Sequence, residues 1–342
     1  MHIQARRVFR LALVPALTLA AAYALAVPLP FIAPLFAFIL SSIPGPPLPA
    51  PKLIGLIIMV IMTTGLGIVL IPLLLNYQVT AVLLVAVGLY LSTYLTVNLN
   101  KNLPGVFMAM GLTLVSAAGT LSDTLATTVI QSLIFGIIIA TLCQTLVYPF
   151  FPEDPLPPQT APPKEQAKNA EQSNWIAIRS TLIVLPAYLL VLINPAMYMP
   201  IMMKSIMLSQ QSSTMDAKHA AREMIGSTFL GGVFAILLWL GLGIWPTLWM
   251  FFWWMLLISL YFSSKIYQLV KTRLSASFWM NTAITMLILI GPAVEDTDSG
   301  KDVYTAFFIR LSLFVLVTLY ALAAINILEY LKTHKRKSSY AD

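Results

Sequence analysis

The sequence predicts an all-α integral membrane protein with about twelve transmembrane helices, arranged as two parallel six-helix repeats. Three observations support this fold class: an apolar composition, an internal duplication, and basic residues gathered on one side. Of the 342 residues, 59% are apolar and only 10% are charged, and the mean hydropathy is +0.85. A soluble domain is nearer 25% charged. Unbroken apolar runs such as 53–75 exclude the alternating strands of a membrane β-barrel.

Twelve hydrophobic segments follow one another along the chain, counted at about 20 residues per span. They lie at 9–27, 29–44, 53–75, 79–97, 104–120, 124–150, 175–194, 196–212, 222–243, 246–263, 274–292 and 303–331. The segments 29–44 and 196–212 are short and rich in proline, so whether they cross the bilayer fully stays open. The first segment also imitates a secretory signal, but the second repeat begins with a similar arginine-led helix, and we expect the first helix to be retained.

The second half of the chain repeats the first. Matching pairs stand 171 residues apart: Gly55 and Gly226, Tyr90 and Tyr261, Phe107 and Phe278. We therefore predict a first repeat at residues 1–151, a proline-rich cytosolic linker at 152–174, a second repeat at 175–331 and a basic cytosolic tail at 332–342. Duplicated helices commonly place a transport pathway at the seam between the halves.

Charge predicts the orientation, because cytosolic loops are enriched in Lys and Arg. With both termini in the cytosol, 17 of the 20 basic residues fall on that side. The opposite side receives Asp123, Glu295, Asp296, Asp298 and Asp302, with Lys301 alone among them. An even number of helices in each half makes the repeats parallel.

Lys204 is the sharpest candidate for a functional side chain. It lies in a segment of methionines and isoleucines, where a charge costs about 3 kcal/mol by insertion scales and usually faces a cavity or a partner. Its ammonium could bind a carboxylate substrate. The alternative is a lysine whose head reaches the cytosolic interface.

Arg310 and Gln131 occupy matching positions in the last helix of each half. Arginine binds carboxylates in a forked geometry, so Arg310 is a second candidate for an anion contact. The alternative is a structural pair with a backbone carbonyl or with an acid such as Asp302.

Tyr90 and Tyr261 also stand at equal positions in the two halves. They could line a pseudo-symmetric pathway, or they could belong to an interfacial aromatic belt. Asn281 is a polar intramembrane candidate for pathway lining, with helix–helix adhesion as its alternative.

Several chemistries have no sequence signature. The chain has no phosphate-binding loop, dinucleotide fingerprint or nucleophile elbow. Its single cysteine and three histidines do not suggest a metal site. We therefore expect no enzymatic activity, no cofactor and no nucleic-acid partner.

Two features of the sequence resemble the fusaric acid resistance (FUSC) and aromatic acid exporter superfamily. One is the pair of arginine-led six-helix halves, and the other is the stretch 221–232, which runs from Arg222 through Gly226 to Gly231 and Gly232. The first copy of this helix start, at residues 51–56, lacks the polar step after the glycine, and a short linker replaces the soluble middle domain of typical members. The chain thus looks like a compact branch of that superfamily.

The resemblance implies an inner-membrane exporter subunit for aromatic or other small organic acids in a bacterium. It also implies a periplasmic adaptor of the membrane-fusion (HlyD) type and allows a homo-oligomer in the bilayer. Two alternatives remain: a passive organic-anion channel, and a scaffold that holds an adaptor complex without transporting.

Overall fold

The computed structural model describes residues 3–99, 102–154, 170–212, 217–298 and 303–338, and their regular structure is helical throughout. The helices are α1 Ile3–Ala24, α2 Ile32–Ser42, α3 Ala50–Asn76, α4 Gln78–Leu99, α5 at 102–121, α6 Asp123–Val147, α7 Ala170–Ile193, α8 Pro195–Ser212, α9 Ala217–Ile244, α10 Leu248–Ile266, α11 Ala276–Asp298 and α12 Val303–Ser338. Helix α5 contains a π-helical segment, Gly111–Val115. The all-α prediction is confirmed, and each helix overlaps one of the twelve predicted segments, with bounds that differ by up to seven residues.

Ten of these helices are long and apolar enough to cross a membrane. The chain is therefore a multi-pass membrane protein. The two exceptions are α2 and α8, the two short segments of the sequence. Helix α2 has 11 residues, about 16 Å at 1.5 Å per residue, against a hydrocarbon core of about 30 Å. Most of α2 is buried in protein, where a short helix needs no lipid-spanning length.

The helices form two compact units, which do not follow the two halves of the sequence. Unit 1 takes in α1, α2, α10 and α11, with most of α6 and α9. Unit 2 takes in α4, α5, α7 and α8, with the larger part of α12. Helices α3, α6, α9 and α12 each contribute residues to both units. The repeat boundaries at 1–151 and 175–331 remain a prediction about duplication.

Packing within the two units follows one scheme. In unit 1, α1 packs against α10 and α2, α2 contacts α11, and α10 contacts α11. In unit 2, α7 packs against α4 and α8, α8 contacts α5, and α4 contacts α5. In both units the first two helices of one half pack on the fourth and fifth helices of the other half. Each unit is thus assembled from both halves of the chain.

Hydroxyl groups inside the helices donate to the carbonyl one turn earlier. Examples are Thr18 to Val14 at 2.7 Å and Thr318 to Phe314 at 2.7 Å. This local bond satisfies the hydroxyl without a water molecule, which suits a side chain buried in a membrane protein.

Parts of the predicted linker, tail and loops lie outside the described residues. They are the linker residues 155–169, the tail residues 339–342, and Lys101, Lys301 and Asp302.

A close approach of α3 and α5 gives a test of the packing in unit 2. A Cβ atom at Gly111 would lie 2.4 Å from the Thr63 carbonyl oxygen and 2.6 Å from the Thr64 Cα. Both are backbone atoms, which cannot move aside as a side chain does. We expect Gly111→Ala to lower the free energy of unfolding by about 1–3 kcal/mol, measured by thermal melting in detergent.

The matched control is Gly65→Ala in α3, because a Cβ at Gly65 meets no atom within 4 Å. Equal melting temperatures for the two variants would contradict the contact between α3 and α5.

Candidate functional site

Lys204 lies in the interior of unit 2. Its residue is 2% exposed, and the stretch 200–209 of α8 is buried except at Met207. Its neighbours Met203 and Ser205 are 4% and 0% exposed. A helix that is buried on all faces belongs to the core of its unit. The described surroundings therefore fit an enclosed ammonium better than one that reaches an interface.

A π-helical segment lies against the lysine-bearing helix. Helix α8 contacts α5 at Gly111–Val115, and all five residues of that segment are buried. Single π turns inside α-helices are uncommon and are frequent at functional sites. Just after the segment, the hydroxyls of Ser116 and Tyr188 lie 3.0 Å apart, and Tyr188 is fully buried. Polar groups of α5 and α7 therefore meet inside the same unit as Lys204.

Three hydroxyls join the helices of unit 2 one turn beyond Lys204. The Thr93 hydroxyl donates to Ser180 Oγ at 3.0 Å, and Ser180 Oγ is hydrogen-bonded to Ser209 Oγ. All three residues are buried, and they come from α4, α7 and α8. Sequence reasoning missed this cluster, and its only signal was a serine or threonine within each apolar segment.

Arg310 is buried in unit 1 and has an acidic partner. Its Nη1 donates to Asp296 Oδ2 at 2.5 Å, and the two residues are 7% and 6% exposed. The structural alternative for Arg310 is thus present, with Asp296 in the place considered for Asp302. Gln131, the matching residue of α6, is exposed. The two positions differ in burial although the sequence around them is similar.

The paired tyrosines have different surroundings. In unit 2, the Tyr90 hydroxyl donates to Asn174 Oδ1 at 2.9 Å, and the Tyr90 ring stacks on Tyr94 with centroids 6.1 Å apart. In unit 1, Tyr261 is 43% exposed and packs against Trp279 at a ring distance of 5.7 Å.

Asn281 of α11 is a partly buried residue of unit 1, and its Nδ2 has no hydrogen-bond partner among the described residues. Of the six candidate residues, Lys204 and Tyr90 belong to unit 2, and Arg310, Gln131, Tyr261 and Asn281 belong to unit 1.

An arginine clamp, formed by Arg7 and Arg10 on Glu153, ties α1 to the chain after α6. Arg7 Nε donates to Glu153 Oε1 at 2.6 Å, and Arg10 Nη2 donates to Oε2 at 2.9 Å. The side chains of Arg10 and Glu153 are 1% and 4% exposed. Nearby, Arg6 forms an ion pair with Asp154 at 2.6 Å. The basic start of α1 thus has a structural role that the sequence analysis did not predict.

The clamp also sets the protonation of the acid. Burial of the Glu153 carboxyl raises its pKa, but hydrogen bonds from Arg7 and Arg10 and their positive charges outweigh burial. The pKa of Glu153 therefore lies below its ordinary value.

Among the described residues, each unit has a cleft where equivalent helix ends meet. In unit 1 it has a volume of about 480 Å³ and lies where α1, α9 and α11 end and α10 begins, with Tyr23, Trp239, Phe251 and Val294 among its walls. In unit 2 it has a volume of about 640 Å³ and lies where α3, α5 and α7 end and α4 begins. The two clefts are built from equivalent helices with the halves exchanged.

Comparison with known proteins gives one family match. A model of the family described as "Protein of unknown function (DUF2955)" matches residues 7–147, from the first turns of α1 to the end of α6. No curated protein and no solved structure matches the chain.

The arginine clamp predicts a pH-dependent stability. The Glu153 pKa is lower in the folded state, so its contribution is complete above the ordinary Glu pKa of about 4.3 and is lost as pH falls through the folded pKa. We expect Glu153→Gln to reduce stability at pH 7 by about 3 kcal/mol, because it leaves two arginines facing a neutral amide. The measurement is the melting temperature in detergent between pH 7 and pH 3.

The difference in melting temperature between the native protein and Glu153→Gln should decrease as pH falls below about 4. Asp123→Asn, at the exposed start of α6, is the control, and it should lose only the roughly 0.3–1 kcal/mol of an acid at a helix N-terminus, less than Glu153→Gln loses at pH 7. A difference in melting temperature that stays constant across the pH range would contradict an ionised Glu153 in the clamp.

Proposed function

We propose that this protein is the membrane subunit of an exporter for small organic anions, with aromatic acids as the first class to test. The observation that carries the proposal is Lys204, a lysine 2% exposed within a multi-pass membrane protein. An ionisable residue inside a membrane protein marks a substrate or ion site by default, because its burial is expensive. A carboxylate is the natural ligand for an ammonium.

Supporting features come from the same unit. The methionines beside Lys204 offer an adaptable apolar wall, which would suit the ring or chain of an organic acid. The π segment of α5 and the Ser116–Tyr188 pair supply polar groups on helices of that unit. Arg310 is the weaker anion contact, because Asp296 already balances its charge.

The resemblance to the FUSC and aromatic acid exporter superfamily adds the cellular setting. It supports a bacterial inner membrane and a periplasmic HlyD-type adaptor, while the charge asymmetry of the sequence supports cytosolic termini. Tyr90, Tyr261, Gln131 and Asn281 are secondary candidates for pathway lining in this proposal. A passive anion channel is the nearest rival, and it differs in one measurable respect: its flux never exceeds the electrochemical gradient.

Removing the charge of Lys204 tests this proposal. Lys204→Met replaces it with a neutral side chain of similar length in a methionine-rich segment. A hydrogen bond to a charged group contributes about 1.5–3 kcal/mol, so we expect transport to fall about tenfold to a hundredfold. The readouts are efflux of labelled benzoate and 1-naphthoate from cells and growth under a panel of aromatic acids, at matched expression and with the adaptor present.

Lys52→Met is the matched control, because Lys52 is exposed at the start of α3 and should not affect transport. Efflux that is equal in the native protein and in Lys204→Met would remove Lys204 from the pathway. Flux that stops at equilibrium would favour the channel.

The proposed orientation has its own test. Alkaline phosphatase fused after Ser122 or Trp245 should be active, and green fluorescent protein fused after Asp154 or Gln268 should fluoresce, because charge asymmetry places the first pair outside and the second inside. The reverse pattern would contradict cytosolic termini.

A further inference from the structure

We propose that the cleft of unit 1 is a binding site for an uncharged aromatic compound. This inference does not depend on the proposed anion transport, because the cleft is formed by α1, α9, α10 and α11 and Lys204 belongs to the other unit.

The walls of the cleft present aromatic rings from three helices. Tyr23 of α1 and Phe251 of α10 pack with ring centroids 5.4 Å apart at an interplanar angle of 60°. Trp239 of α9 adds an indole that is only partly buried by the protein. Tilted rings at such spacing are the arrangement that aromatic groups prefer, and a ligand ring would extend it.

The cleft has a volume of about 480 Å³, within the range of small-molecule sites. It lies beside helix ends, so a ligand could enter without any helix being displaced. Gly243 of α9 lines it, and a Cβ atom at this position would meet no atom within 4 Å. Gly243 is also exposed, so the cleft is open at this position of α9.

Among the residues that the structure describes, none of the side chains that line the cleft carries a charge. The nearest acids along α11 are Glu295 and Asp296, and Asp296 is paired with Arg310. An apolar wall without a counter-charge disfavours an ionised ligand, because desolvation of the charge would not be compensated. The chemistry of the walls therefore selects a neutral ring.

The equivalent cleft of unit 2 shows that the aromatic lining is not a requirement of the shared helix arrangement. It is formed by the ends of the equivalent helices. Its walls carry aliphatic side chains in place of rings: Leu75, Val79, Leu83, Leu189 and Ile193. Such an aliphatic wall suits a lipid chain. Both units thus have a cleft at this position, but only the described lining of the unit 1 cleft is aromatic. These aromatic residues favour binding of a ring over binding of an acyl chain in unit 1.

The test uses N-phenyl-1-naphthylamine, an uncharged aromatic probe, with the full chain in lipid nanodiscs. Binding is followed by saturable energy transfer from tryptophan to the probe, with empty nanodiscs as the blank. Gly243→Leu should fill the cleft and weaken binding at least tenfold. Trp239→Leu should weaken it about threefold to tenfold, as expected for the loss of one aromatic contact.

Gly65→Leu is the matched control, since a Cβ at Gly65 also meets open space but lies on α3, away from this cleft. It should bind as the native protein does, and so should Lys204→Met. The Lys204→Met result keeps failure of this inference distinct from failure of the transport proposal.

Two results would overturn the proposal. Equal titrations for Gly243→Leu and Gly65→Leu would mean that the probe only dissolves in lipid. Displacement of the probe by phospholipids with brominated acyl chains, together with tryptophan quenching that is smaller in Trp239→Leu than in the native protein, would assign the cleft to lipid.

Discussion

The packing of α1 on α10, with its counterpart of α7 on α4, is the contact on which the rest of the structure depends. It brings the first helix of each half against the fourth helix of the other half. The short helices α2 and α8 each pack beside the first helix of their own half and also contact the fifth helix of the other half. Because these two helices lie inside protein, α2 can be as short as 11 residues and α8 can carry a lysine.

Both units contain buried basic side chains. In unit 1, Arg7 and Arg10 bind Glu153 and Arg310 binds Asp296, so each of these arginines balances an acid. The first pair joins α1 to the segment after α6 and the second joins α11 to α12, so these arginines have a structural role. In unit 2, Arg179 and Lys204 are buried, and the functional proposal assigns a substrate contact to Lys204. The functional proposal therefore depends on that lysine more than on Arg310.

The sequence predicts the helices well because each is an apolar run, and ten of the twelve are long enough to span a bilayer. It does not predict their partners, since a duplication at 171 residues indicates which helices are equivalent and not which ones touch. The Arg10–Glu153 bond joins residues 143 positions apart, and no local pattern predicts it. Gln131 and Arg310 have similar neighbours in sequence yet differ in burial, because a short match does not fix the rotation of a helix within its bundle. The aromatic cleft depends on the same exchange of helices and was likewise not predicted.

A cross-link between the two halves of the chain tests most directly whether α1 of the first half packs on α10 of the second half. In a Cys143→Ala background, cysteines replace Tyr23 and Phe251, whose rings lie 5.4 Å apart, and a protease site is placed between residues 155 and 169. A short bifunctional maleimide should hold the two halves together after cleavage. The control pair is Phe234→Cys with Phe262→Cys, whose rings are 4.8 Å apart in the same half, and there the halves should separate. Separated halves for the first pair, or cross-links only between different chains, would contradict units assembled from both halves of one chain.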